Sequence, residues 1–425
     1  MGAGGAGVSA LARVFLARGD EVSGCDVKES DTTLELGDSG VKMFVGHDPE
    51  HVLGQDLLVY SGAIKRSPEL DAARAMGVQA LSRAEMLAKL INESDSIAVA
   101  GTAGKTTVTH MVGHILVTAG YDPTVLVGDG ASARAGQSEW LVAETDESDG
   151  TLTLHRPQRA IVTNIELDHP DHFRDVSAVR DLFQWFIEGL PKDGLAIVCA
   201  DDELARELKP KARKITYGFR HDATYRCEPV RPFPIYKGLD LLGHINLRQP
   251  GRHNIQNATA AAAMALELGI GFDDVAAALR SFPGAHRRME FLGVFQGAAV
   301  YDDYAHHPTK VRATIEAARE LRHRRLIVVF QPHRYSRLSA LMHDFARAFT
   351  GADRVFVLDV YSAGEDNVSG VQAADLAHQI PQGIYVGDFE KAREGLEEIV
   401  GPDDLVLLMG AGDIKKLGDD LAHKV

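Results

Sequence analysis

Residues 96–116, SIAVAGTAGKTTVTHMVGHIL, decide the fold. Ser96 to Ala100 is a short apolar run that reads as a buried strand. It enters Gly101-Thr102-Ala103-Gly104-Lys105-Thr106-Thr107, after which Val108, Met111, Val112, Ile115 and Leu116 fall on one helical face. Strand, glycine turn and helix in that order are the unit of a parallel α/β sheet. Backbone N–H groups of such a loop, with the positive end of the helix, cradle polyphosphate; Lys105 is placed to reach the β- and γ-phosphates and Thr106 to hold Mg²⁺. The full G-x-x-x-x-G-K-[ST] pattern is not met, because Val99 stands where its first glycine would be.

The same alternation continues on both sides. Apolar runs at Glu21 to Cys25, Asp56 to Tyr60, Trp140 to Ala143, Ala160 to Val162, Leu195 to Cys199, Ala298 to Tyr301, Leu326 to Phe330, Arg354 to Leu358 and Leu405 to Met409 are each followed by a glycine or polar cluster and helical periodicity. Polar INESDS (Ile91 to Ser96) and SFPGAHRRME (Ser281 to Glu290) suggest boundaries, giving domains at 1–94, 95–283 and 284–425. A length of 425 residues accommodates that number of cores. Forty-five basic against sixty acidic residues, with no Lys/Arg-rich run, argue against nucleic acid and anionic membrane as partners. Cys25, Cys199 and Cys227 are widely spaced without CxxC and read as packing residues in a reducing cytoplasm. No membrane span or export signal is expected.

A bound nucleoside triphosphate needs metal ligands at neighbouring strand ends. WLVAETDESDG (140–150) places Glu144 just past a strand, followed by Asp146, Glu147 and Asp149; AIVTNIELDHPDHF (160–173) places Asn164, Glu166, Asp168 and His169 past the next. Carboxylate and hydroxyl oxygens suit Mg²⁺, and a His ligand is less usual. The H-x-x-H of His169 and His172 lies beyond a strand with Pro170 inside it, so it lacks the helical spacing of a zinc hydrolase.

Taken together and in order, GTAGKTT, AETDESD, TNIELDHPDHF, GRHNIQNATAAAAMA, GAHRRME, DDYAHHPTK, FQPHRYSR, DVYSAGE and GAGDI resemble the Mur ligase family over essentially the whole chain. The resemblance implies three α/β domains: a Rossmann-like domain for a UDP-sugar, a central P-loop ATPase-like domain, and a C-terminal Rossmann-like domain for an amino acid. It implies ligation of L-alanine to UDP-N-acetylmuramate by a monomer or homodimer, through an acyl phosphate, with ATP and Mg²⁺. Glu144 and His169 are then metal ligands beside Thr106. His253, Asn254 and Asn257 match the adenine side, Arg288 an ATP phosphate contact, and Asp303 the ribose side. Tyr304, His306, Arg334 and Arg337 match residues that receive the amino acid. Two guanidiniums suit an α-carboxylate, and His306 is a candidate base for the ammonium proton. Ala103 departs from the histidine common in the family's GTHGKT loop.

Gly4, Gly5 and Gly7, at the head of MGAGGAGVSALARVFLARGDEVSGCD, resemble the family turn that meets the UDP-sugar pyrophosphate, with Asp26 near the uridine and Ser61 in the pocket. A strand before this turn is expected and absent, so the first sheet is expected to be weakened and sugar-nucleotide binding poorer than in a chain longer by one strand. Two readings compete. A recycling ligase would attach a murein tripeptide to the same sugar nucleotide. A non-catalytic nucleotide-binding protein, or a dehydrogenase built on the first turn, leaves Lys105, Glu144 and His169 unexplained.

Overall fold

The computed structural model describes residues 1–128, 133–147, 150–167 and 172–422. His169, Asp168 and Asp149 therefore lie outside the described residues. The chain forms two compact units, one of residues 1–247 with 256–282 and one of 248–255 with 283–425.

In the first unit, the glycine-rich start turns at Gly5 into α1 (Ala6–Ala17), followed by β1 (Ser23–Asp26), α2 (Asp31–Asp38), β2 (Lys42–Val45), β3 (Leu57–Tyr60), α3 (Pro68–Met76), β4 (Gln79–Ser82) and α4 (Arg83–Glu93). β1 pairs with β2 and β3 with β4, all parallel, as two separate two-stranded sheets. Between them lies Met1: its amine donates to Val59 O (2.7 Å), its carbonyl accepts from Ser61 N (3.1 Å), and Gly2 and Ala3 N donate to Cys25 O (2.9 and 3.1 Å).

β5 (Asp95–Ala100) then opens a nine-stranded sheet with β6 (Thr124–Leu126), β7 (Trp140–Glu144), β8 (Arg159–Val162), β9 (Leu195–Cys199), β10 (Arg213–Gly218), β11 (Tyr225–Cys227), β12 (Phe233–Lys237) and β13 (Asp240–Ile245). Its order is β13-β12-β11-β10-β9-β8-β5-β7-β6. Only the β11-β12 and β12-β13 pairs are antiparallel. The chain passes from β5 to one side for β6 and β7, then to the other for β8. The order thus reverses at β5, and such switch points open a ligand crevice at the strand ends. Ile97 to Ala100 are completely buried, as expected of a strand covered on both faces, and so are Val108 and Met111 of α5 (Lys105–Thr118).

Ala10, Leu11 and Val14 of α1 and Met86, Leu87, Leu90 and Ile91 of α4 share one core with Leu126, Leu141 and Ala143 of the nine-stranded sheet. Burying those side chains from water, at about 1.5–3 kcal/mol each for the larger ones, joins the glycine-rich start to the phosphate-loop sheet in one unit.

The second unit carries β14 (Glu290–Phe295), β15 (Ala298–Asp303), β16 (Leu326–Phe330), β17 (Arg354–Leu358), β18 (Gly383–Gly387) and β19 (Leu405–Met409) in the order β14-β15-β19-β16-β17-β18. All pairs but β14-β15 are parallel. Apolar clusters cover both faces of this sheet, and every residue of β16 is buried. The Ala-rich stretch lies in the helix Arg252–Glu267, where Ala258 and Ala260 to Ala263 are fully buried.

Candidate active site

The loop between β5 and α5 is held by backbone and by the segment after β8. Thr102 N donates to Asn164 O (3.0 Å), Ala103 N to Asn164 Oδ1 (2.8 Å), and the Thr163 hydroxyl to Ala103 O (2.6 Å). Ala103 thus enters through its main chain, and the cradle needs no imidazole at that position. Gly101 and Gly104 have φ of +134° and +86°. A Cβ on Gly101 would collide with the Thr163 hydroxyl, and one on Gly104 would lie 2.6 Å from Asn257 Oδ1. Gly104 is the N-cap of α5, without a side-chain cap, and the positive end of a helix suits an anion. These features fit a polyphosphate.

Lys105 and Thr106 are the first residues of α5 and meet the carboxylates following β7. Lys105 Nζ donates to Glu147 Oε2 (2.7 Å) and lies 3.8 Å from Asp146 Oδ1. The Glu147 side chain is 2% exposed. Burial by itself would lower the Lys105 pKa, but the Glu147, Asp146 and Glu144 carboxylates raise it above the ordinary lysine value. Burial pushes the Glu147 carboxyl up, against the pull of Lys105. At 2.7 Å the pair is an ion pair. The Thr106 hydroxyl donates to both Glu144 oxygens (3.1 and 3.0 Å), and Gly128 N donates to Glu144 Oε2 (3.0 Å). A hydroxyl beside a carboxylate at a phosphate loop is a hard-oxygen donor set that fits Mg²⁺.

A small gap of about 30 Å³, room for about one water, is lined by Gly7, Arg83, Gly128 and Glu144 together with apolar Leu11, Leu87 and Leu126. Gly7 belongs to the first glycine turn, where Gly4 N donates to Asp26 Oδ2 (2.8 Å) and Gly5 caps α1. Asp26 Oδ1 accepts from Val27 N (2.8 Å), so both its oxygens brace backbone. Ser61 borders Gly2, whose added Cβ would stand 2.9 Å from the serine Cβ. The structure brings Gly4 into contact with Asp26 and Gly2 into contact with Ser61, and beside Gly7 it places Arg83, which the sequence does not single out. The Arg83 side chain fills the space that a Cβ on Gly7 would need.

In the second unit the candidate residues stand at the carboxyl ends of β15, β16 and β17. Tyr304 and His306 follow β15, with His306 Nδ1 2.7 Å from Tyr304 O. That contact puts the proton on Nδ1 and leaves Nε2 as the basic nitrogen. His333, Arg334 and Arg337 follow β16. The His306 and His333 ring centroids are 5.9 Å apart, and His333 stacks on Tyr361 at 5.6 Å. Arg337 Nη1 lies 3.3 Å from His333 Nδ1, and Arg334 Nη1 donates to Glu365 Oε1 (3.3 Å). Burial, then Arg337 and Arg334, lower the His333 pKa to about 4, so its imidazole is neutral. From the sequence His333 reads as structural, and Glu365 is not singled out; His333 stands three residues past β16 and Glu365 seven past β17. The Arg288 guanidinium lies 5.2 Å from the Tyr304 ring centroid. Asp303 is buried and accepts from Met289 N, Ala305 N and the Thr314 hydroxyl. Arg287 is built into the fold through Asp302 and the carbonyls of Gly410 and Gly412. His253 and Asn254 fall within this second unit, the Asn254 amide donating to Pro250 O (2.7 Å), whereas Asn257 belongs to the first, beside Gly104.

First glycine turn, phosphate loop and metal-type oxygen pair are arranged along a chain whose segments carry one family's signature. Residues 1–95 match the catalytic domain of the Mur ligase family, 99–265 the Mur ligase middle domain, and 287–412 the Mur ligase glutamate ligase domain. The chain belongs to the Mur ligase family. It is 40% identical to the UDP-N-acetylmuramate–L-alanine ligase of Desulfatibacillum aliphaticivorans, with 99% of this chain and 96% of that protein aligned. It is 41% identical to the ligase of the same name from Solibacter usitatus, with 100% and 94% aligned. Among solved structures, it is similar to the UDP-N-acetylmuramate–alanine ligase MurC from Thermotoga maritima (28% identity, TM-score 0.80, covering 99% and 96%). Its fold is also that of a murein peptide ligase from Psychrobacter arcticus (23% identity, TM-score 0.73, covering 99% and 96%).

Proposed function

We infer that this chain is an ATP-dependent ligase that joins L-alanine to UDP-N-acetylmuramate in peptidoglycan synthesis. The carrying observation is the loop between β5 and α5, where Gly104 caps α5, Lys105 stands among carboxylates and the Thr106 hydroxyl meets Glu144, in a chain that matches the family along its length. Full-length identity of about 40% to alanine-adding ligases favours L-alanine over a murein tripeptide. The functional division we propose is 1–94, 95–283 and 284–425, which the family matches at 1–95, 99–265 and 287–412 support.

The lactyl carboxylate of the sugar attacks the γ-phosphate of ATP, giving an acyl phosphate and ADP. The amine of L-alanine then adds to the acyl carbon and phosphate leaves. Both reactants of the first step are anions, so charge neutralisation and alignment carry the rate. Lys105 supplies a fixed ammonium at the γ-phosphate. Thr106, Glu144 and, by family resemblance, His169 would hold Mg²⁺, which supplies further neutralisation. Asn257 lines the loop on the nucleotide side; His253, Asn254, Arg288 and Asp303 complete the nucleotide contacts that the family resemblance assigns. Arg334 and Arg337 receive the alanine carboxylate, Tyr304 borders the pocket, and His306 Nε2 takes a proton from the ammonium before attack. No described helix is long and apolar enough to cross a membrane. Phosphate release with ATP, Mg²⁺ and UDP-N-acetylmuramate, measured with L-alanine or with the murein tripeptide, tests the reading. Release that depends on alanine supports it, and release that depends on the tripeptide overturns it.

A further inference from the structure

Behind the first glycine turn, four side chains converge that the ligase chemistry does not use. Cys25 ends the buried part of β1, His47 and His51 lie after β2, and Glu69 is in the first turn of α3. Glu69 is completely buried. Its Oε1 lies 3.0 Å from His47 Nδ1, 3.3 Å from His51 Nδ1, 3.6 Å from Cys25 Sγ and 3.1 Å from Asp48 N. Its Oε2 is equally enclosed and has no hydrogen-bond partner. Ligand atoms of Cys25, His51 and Glu69 all lie within 4.8 Å of one another.

We propose that Cys25, His51 and Glu69 form a Zn²⁺ site, with His47 at its edge as the fourth ligand. One carboxylate oxygen has two lone pairs, yet four potential donors converge on Oε1 while Oε2 receives none. A central cation resolves that crowding. Tetrahedral bonds of about 2.0–2.3 Å place neighbouring ligand atoms about 3.3–3.7 Å apart; the His51–Glu69 and Cys25–Glu69 separations of 3.3 and 3.6 Å are of that size, and the 3.0 Å between His47 and Glu69 would widen on binding. Sulfur, imidazole nitrogen and one carboxylate select zinc over the hard Mg²⁺ of the phosphate loop. On binding, the Cys25 S–H bond breaks and its proton goes to solvent, both imidazoles present Nδ1 lone pairs, and no electron changes hands. His47 and His51 retain 26% and 17% side-chain exposure, which gives the ion its entry. Gly2 and Ala3 N both donate to Cys25 O, so the site fixes the base of the glycine turn. It stands independently of the ligase reading.

The test uses the full chain, stripped with chelator and kept reduced with a phosphine, titrated with Co²⁺ and then Zn²⁺. One equivalent of Co²⁺ is expected to give a near-ultraviolet thiolate-to-cobalt charge-transfer band that Zn²⁺ displaces. Oxygen and imidazole donors at the Mg²⁺ site give no such band. Cys25→Ser should abolish it, and His51→Ala, which removes a partly exposed ligand, should weaken Zn²⁺ binding by at least about tenfold. Absence of the sulfur band at one equivalent, or unchanged Zn²⁺ affinity in a folded His51→Ala chain, would overturn the proposal and leave Glu69 as a loop-holding carboxylate.

Discussion

Replacing Lys105 by Met removes the ammonium with little change in shape and leaves Glu147 buried alone. Breaking a buried ion pair from one side costs about 3–5 kcal/mol, because the remaining charge has lost both water and partner. For an unfolding slope of about 2–3 kcal/mol per molar urea, that is a fall in midpoint of about 1–2.5 M. Adding Glu147→Gln should recover most of it, since a neutral amide of the same outline has no charge to desolvate. Trp140 and Trp185, the two tryptophans of the chain, both lie in the first unit, so their fluorescence reports its unfolding. Burial already pushes Glu147 up with Lys105 opposing it; without Lys105 the folded-state value rises further above the ordinary glutamate 4.5. The folded state then binds the extra proton. Its contribution is present below 4.5 and lost as pH rises through the folded value, so the Lys105→Met midpoint should fall between about pH 5 and 8 relative to the double variant. Equal pH slopes, or a double variant less stable than Lys105→Met, would refute the buried-pair account.

Gly101→Ala and Gly104→Ala each place a Cβ at positive φ against a neighbour, so each should lose at least about 1–3 kcal/mol in urea and raise the KM for ATP. Glu144→Gln should lower kcat and raise the Mg²⁺ needed for half-maximal rate, while moving the urea midpoint little, because it leaves the Thr106 and Gly128 contacts nearly isosteric. His306→Gln should cut kcat by about 10²-fold or more with alanine saturating, the range for a lost general base; near-normal kcat removes His306 from that role. His333 is held neutral at about 4, so His333→Gln should leave the pH profile of kcat between about 6 and 9 unchanged in shape.

The strands legible in the letters are those covered on both faces. β5, β9, β16 and β19 read as unbroken apolar runs because nearly every side chain in them is buried. β2, β4 and the β12-β13 hairpin escape because they are short or half-exposed, and Lys42, Gln79, Lys237 and Asp240 carry no burial signal. INESDS reads as a boundary; there Ile91 is completely buried in α4, which ends at Glu93, and β5 begins at Asp95. Side-chain partnerships across loops are less visible still. Glu144 is marked by its strand end, whereas Glu147 reaches Lys105 only because the chain after β7 curls back over α5. Cys25 reads as packing, and neither His47, His51 nor Glu69 sits near it in sequence.

Isotope transfer tests the central claim most directly. UDP-N-acetylmuramate labelled with ¹⁸O in its lactyl carboxylate is turned over with ATP, Mg²⁺ and L-alanine, and the released phosphate is weighed. Attack of that carboxylate on the γ-phosphate, followed by alanine attack at carbon, carries one labelled oxygen into phosphate while UDP-N-acetylmuramoyl-L-alanine forms. Phosphate without label, or labelled phosphate with no alanine in the product, would contradict the account.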